Sequence, residues 1–103
     1  MGVYTRNGIV TNGLIAHYDA ANSLSYTSGS GTWKDLTGNN NNVTIPSAIA
    51  YGSKNGGTLV FNGTSATAIT GVSIAGLNLN TVNALTVDCW IYYNAVGSYQ
   101  FWF

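Results

Sequence analysis

Three carboxylates, Asp19, Asp35 and Asp88, one imidazole, His17, and one thiol, Cys89, are the side chains that could do chemistry, and there is no glutamate. Glycoside hydrolysis needs two carboxylates flanking one bond, about 5 to 9.5 Å apart. The run Asp88-Cys89-Trp90-Ile91 offers only one, so hydrolysis is not expected. His17 and Asp19 would share one face of a strand, two parts of a nucleophilic triad. No Gly-x-Ser-x-Gly elbow is present to expose a serine beside them. His17 therefore reads as a surface or half-buried strand residue. Cys89 has no adjacent cation or helix start to lower its pKa, and beside Val87 and Ile91 it reads as a buried thiol. A single cysteine forms no intrachain disulfide. No catalytic residue is expected.

Calcium takes about six to eight hard oxygens. Asp19, Asn22, Asp35 and the asparagines at 39–42 could supply some of them. Asn-rich turns mostly turn those oxygens on their own backbone, and Asp35 is expected to accept N–H bonds from the 37–39 turn. Turn chemistry is thus the reading, with no metal or cofactor, calcium being the cation these residue types would suit. Trp33, Tyr51, Trp90, Tyr92, Tyr93 and Trp102 could stack on a sugar face. Core packing is the expectation for each, because a β-sandwich needs bulky inward residues.

The elements that would position these groups are strands. Val, Ile, Thr, Tyr, Trp and Phe recur in short runs broken by Gly, Asn and Ser. The run 13–20 reads as a strand with Leu14, Ala16 and Tyr18 on one face and Ile15, His17 and Asp19 on the other. A loop over 21–31 follows, anchored by Tyr26. A short strand at 33–36 enters a polar turn at Gly38 and the asparagine run. Val43 to Ile45 is a strand ended by Pro46. A short strand at 48–51, a turn at 53–57 and a strand at 58–62 come next, closed by Asn62-Gly63. Strand pieces are expected at 66–70 and 72–74, then a loop to 83 with a helical turn around Leu77 and Leu79. The run 84–93 alternates Leu85, Val87, Cys89 and Ile91 against Thr86, Asp88, Trp90 and Tyr92. Bulk on both faces suits a central, covered strand. A last strand begins at 98–103.

The chain of 103 residues is one domain at most. Only 6% of its residues are charged and the net charge is zero, against about 25% charged in ordinary globular chains. High apolar and aromatic content excludes the disordered class. With no basic cluster, nucleic acid is not an expected partner. No apolar run approaches the roughly 20 residues that span a bilayer, and no signal-peptide pattern is visible, so no membrane is expected either. A surface so poor in charge lacks the repulsion that keeps a small monomer dispersed. Much of it is therefore expected to be covered in a homo-oligomer or larger assembly.

Three segments together are similar to a known family. Gly13-Leu14-Ile15-Ala16-His17-Tyr18-Asp19-Ala20-Ala21-Asn22, then Ser25-Tyr26, then Gly29-Ser30-Gly31-Thr32-Trp33-Lys34-Asp35-Leu36-Thr37-Gly38-Asn39, resembles the start of laminin-G-like (concanavalin A-like lectin/glucanase) jelly rolls of the type found in bacteriophage structural proteins. Leu59-Val60-Phe61-Asn62-Gly63-Thr64 resembles a later strand and turn, with Asn62 where Asp is usual. Leu85-Thr86-Val87-Asp88-Cys89-Trp90-Ile91 resembles the Thr-apolar-x-x-Trp-apolar strand. The resemblance implies an all-β antiparallel jelly-roll sandwich, here the N-terminal half or slightly more. It also implies a non-enzymatic virion protein, a head decoration or fibre component, whose partners are other virion chains. Its interface residues would be Tyr99, Phe101, Trp102 and Phe103, with the exposed face of 85–93. The alternative it implies is a carbohydrate-binding module for host or surface glycans.

Overall fold

The computed structural model describes residues 9–62, 78 and 80–92. Within them the chain is non-helical apart from one short turn and builds two small antiparallel sheets. In the first, β1 (Thr32–Trp33) pairs with β2 (Val43–Thr44), Thr32 opposite Thr44 and Trp33 opposite Val43. The Ile45 N–H donates to the Gly31 carbonyl at 2.9 Å and extends the ladder by one bond. In the second, β3 (Ala50–Gly52) pairs with β4 (Thr58–Val60), with Tyr51 opposite Leu59.

The β3–β4 connection has a type I′ geometry. Asn55 sits at φ 54°, ψ 31° and Gly56 at φ 85°, while the Gly57 N–H donates to the Lys54 carbonyl at 3.0 Å. Such a turn matches the right-handed twist of the flanking strands and demands positive φ at both central positions, which Asn-Gly supplies. Gly57, at φ 149°, has no room for a side chain: a Cβ there would stand 2.6 Å from Tyr51 Oη and closer still to the Ala20 carbonyl.

The core lies where the two sheets converge. Tyr26, Ile45 and Ile49 are buried, and Trp33, Tyr51 and Leu59 pack against them. Tyr26, 5% exposed, is the anchor expected within the 21–31 loop. Its ring lies 5.5 Å from that of Tyr51. Trp33 in turn meets Tyr18 at 5.4 Å between centroids. Pro46 follows Ile45 as the terminator that the sequence implied.

Two expected strands do not form. The run 13–20 belongs to no sheet, because its backbone bonds to loops and side chains rather than to a ladder. The run 84–92 is likewise in no sheet and is exposed, both faces included. No backbone hydrogen bond joins it to another described residue, and a strand exists only through its partner. Cys89 is accordingly exposed, not buried as its apolar neighbours suggested. The expected strands at 33–36 and 58–62 shorten to Thr32–Trp33 and Thr58–Val60. One turn forms at 78–82, where the Thr81 and Val82 N–H groups donate to the Asn78 carbonyl at 2.9 and 3.0 Å. The expected pieces at 66–70, 72–74 and 98–103, with Gly63, Leu77 and Leu79, lie outside the described residues.

Candidate functional site

His17, Asn41 and Asn42, among the residues singled out by type, meet at Asp35. Its Oδ1 accepts the His17 N–H at 3.0 Å and the Thr37 N–H at 2.9 Å. Its Oδ2 accepts the Thr37 hydroxyl at 2.6 Å and the Asn41 N–H at 3.2 Å. The expected Asx turn is therefore present at Thr37, and the carboxylate also reaches back to His17, eighteen residues earlier in the chain. Asn39 donates its N–H to the Thr37 hydroxyl rather than to Asp35. Around this centre, Asn39 and Asn41 each donate Nδ2 to the Ile15 carbonyl at 3.0 Å. Asn42 Oδ1 accepts the Asp35 N–H at 3.0 Å. The Leu36 N–H donates to the His17 carbonyl at 2.8 Å.

Burial pushes the Asp35 carboxyl upward, but the bonds from the Thr37 hydroxyl and from the Thr37, His17 and Asn41 N–H groups outweigh it. The net result lies below the ordinary carboxylate value. Tyr18, whose hydroxyl donates to the Asn41 carbonyl, is raised above its ordinary value by burial and then by the Asp35 charge. Each of the two carboxylates in 9–62 accepts backbone N–H groups: Asp19 Oδ1 takes that of Ala21 at 2.8 Å. Asn22 Oδ1 takes that of Leu24 at 2.9 Å. Oxygens of Asp19, Asn22 and Asp35 that could suit calcium thus accept turn N–H groups. Among the described residues no three of His, Cys, Asp and Glu gather as a metal would require.

Two residues whose structural role type and spacing did not reveal carry much of this architecture. Ser25, 1% exposed, accepts the Asp19 N–H at 3.1 Å and donates to the Lys34 carbonyl at 2.6 Å. Asn41 is buried in the middle of a run that reads as solvent-facing turn. A hydroxyl or amide bridging distant backbone groups leaves no pattern in sequence.

His17 is half-buried and, with Ile9, Leu14, Leu36, Thr37 and Asn39, borders a shallow hollow of about 300 Å³. Its backbone, not its ring, makes the bonds described above.

The second feature is the run 84–92. Val87 is 63% exposed, Trp90 99% and Tyr92 88%, with Leu85 and Ile91 about half exposed. Trp33 and Tyr51 pack against the core as expected, whereas Trp90 and Tyr92 do not. Tyr93, Tyr99, Phe101, Trp102 and Phe103 lie outside the described residues. No described helix is long and apolar enough to cross a membrane. Comparison with known proteins returns no matching family model, no matching curated protein and no matching solved structure.

Proposed function

We propose that this chain is a non-enzymatic structural protein of a bacteriophage particle, a head decoration or fibre component with a jelly-roll sandwich of the concanavalin A-like type. It works by protein–protein assembly with other chains of the particle, copies of itself included. One observation carries the reading: the run 84–92 presents Leu85, Val87, Trp90, Ile91 and Tyr92 to solvent together. Contiguous exposed apolar residues mark interaction surfaces. A segment that lies in no sheet and has no backbone bond to another described residue offers a template for strand addition from a neighbour. The scarcity of charge removes the repulsion that would oppose such contact. The resemblance of the 13–39, 59–64 and 85–91 segments to phage jelly rolls supplies the setting. Tyr99, Phe101, Trp102 and Phe103 are proposed as part of the same surface.

The test is composition of the particle. Phage particles banded from the source culture should contain this chain in fixed ratio to the other particle proteins. Its confinement to the soluble lysate, away from particles, refutes the assignment.

A second reading has its own observation. Trp90 and Tyr92 are both exposed and two residues apart, a spacing that in a strand would put the two rings on one face roughly 7 Å apart, with Asp88 alongside. Rings so spaced beside a carboxylate suit stacking on successive sugar units. This carbohydrate-binding reading predicts glycan binding that is lost in Trp90→Ala; a glycan array blank for the assembled protein removes it.

A further inference from the structure

We infer that the partner of the run 84–92 is the same run of a second copy, paired antiparallel about a twofold axis with Cys89 opposite Cys89. This pairing rests on the assembly reading above and adds its partner and its register. The run holds no helix, turn or bend, and every residue in it is exposed. No backbone hydrogen bond joins it to another described residue. Among the described residues it is also the segment of this chain best fitted to receive such a strand. β1 to β4 have two or three residues each, and 15–17 is closed by bonds from Asp35, Leu36, Asn39 and Asn41. Charge points the same way. The run carries one carboxylate, Asp88, and no cation. A partner strand rich in carboxylates is repelled, and one rich in cations finds a single carboxylate to meet. A second copy brings one carboxylate, which register can offset.

A twofold axis perpendicular to a sheet keeps each side chain on its own face, so it passes between two copies of one residue. Asp88 opposite Asp88 would set two carboxylates about 5 Å apart, which is destabilising. Val87 opposite Val87 would set Ile91 against the bend at Asn83. Trp90 opposite Trp90 would leave Leu85 and Val87 facing positions beyond the run. Cys89 opposite Cys89 avoids all three and pairs 86–92 throughout: Thr86 with Tyr92, Val87 with Ile91, Asp88 with Trp90. One face then gathers Val87, Cys89 and Ile91 of both copies. On the other face the two Trp90 rings stand diagonally, about 7–8 Å apart and within reach of each other, and the two carboxylates separate to diagonal positions.

Cys89, exposed and the one cysteine of the chain, reports on this register. Opposite Cα atoms lie about 4.5–5.5 Å apart, inside the roughly 4.4–6.8 Å that a disulfide spans, and diagonal ones lie beyond it. The experiment treats the full chain with diamide, which takes up the two thiol hydrogens as the S–S bond forms, and follows the covalent dimer on gels. Wild type should crosslink readily. In a Cys89→Ser background, Val87→Cys or Ile91→Cys alone should crosslink at least about tenfold more slowly, the paired sulfurs standing four residues or roughly 13 Å apart along the ladder. Both substitutions in one chain should restore the wild-type rate, because 87 faces 91. A rate at 89 no faster than at 87 or 91 overturns the inference, as does a wild-type chain that sediments as a monomer in reductant at every concentration. A chain that pairs in this way but is absent from particles refutes the virion assignment alone. One that enters particles without this pairing refutes the pairing alone.

Discussion

Replacing Asp35 by alanine tests whether side-chain bonds, more than strand ladders, hold this fold. The substitution strands three backbone N–H groups, those of His17, Thr37 and Asn41, and the Thr37 hydroxyl. A net loss near 1 kcal/mol for each bond gives about 4 kcal/mol, and partial repair by water at this half-exposed site brings it to about 2–3 kcal/mol. For a domain of this size that corresponds to a fall in Tm of roughly 10–20 °C. Asp35→Asn keeps one acceptor oxygen and turns an NH₂ group toward a donor, so it should lose about half as much. Calorimetry of the three full-length proteins checks the order wild type, Asn, Ala. An alanine variant within about 0.5 kcal/mol of wild type, the range of ordinary surface changes, would show that the carboxylate merely decorates the turn.

Ser25→Ala leaves the Asp19 N–H and the Lys34 carbonyl without their buried partner; urea melts should show a loss of about 1–3 kcal/mol. The pH profile of Tm should have two limbs. Asp35, depressed in the fold, contributes stability that is whole above the unfolded value of about 4 and disappears as pH falls through its lower folded value. Tyr18, raised in the fold, contributes stability that is whole below about pH 10 and disappears as pH rises through its higher folded value. Asp35→Asn should flatten the acid limb and Tyr18→Phe the alkaline one, read by thermal scans across pH. Val87→Asp combined with Trp90→Ser should leave Tm within about 0.5 kcal/mol equivalents, since both sites are exposed, while sedimentation shows self-association lost. Unchanged association would remove 84–92 from the proposed surface.

What was legible in sequence was local. Tyr26 is the one aromatic residue of a Ser- and Gly-rich loop, and it is buried. Asp35 two residues before Thr37 states an Asx turn, and the turn forms at 2.9 Å. Pro46 ends a strand, and Asn55-Gly56 fits a tight connection between strands. What was not legible was partnership. Alternation at 13–20 and 84–92 says which side chains would share a face. It does not say whether another strand lies alongside, and in both places none does among the described residues. Ser25 and Asn41 were hidden for a related reason. Their burial depends on backbone groups 6 to 26 residues away, and neither spacing follows a helical or a strand period. The jelly-roll expectation concerns strand order across a whole sandwich, which two hairpins of two to three residues per strand do not reach.

The two segments outside the sheets, 13–20 and 84–92, differ in a way that bears on assembly. At 15–17 the outward carbonyls are already met: Ile15 by the Asn39 and Asn41 amides, His17 by the Leu36 N–H. The His17 N–H is taken by Asp35. This edge is closed by side chains, much as inward-pointing polar groups close the edges of natural sheets. At 84–92 no described backbone group answers, and the side chains on both faces are apolar or small apart from Asp88. A neighbouring strand therefore meets one open template and one closed one. Strand addition at 84–92 gains ladder bonds and covers Trp90 and Tyr92, whereas addition at 15–17 must first break bonds to Asp35 and three residues around it. Asn39→Ala with Asn41→Ala should accordingly destabilise the fold and raise aggregation through a newly opened 13–20 edge. Substitutions at 87 and 90 should do the reverse, lowering association at unchanged stability. Light scattering and calorimetry on the two variants would separate these outcomes, and equal behaviour would refute the distinction between a sealed and an open edge.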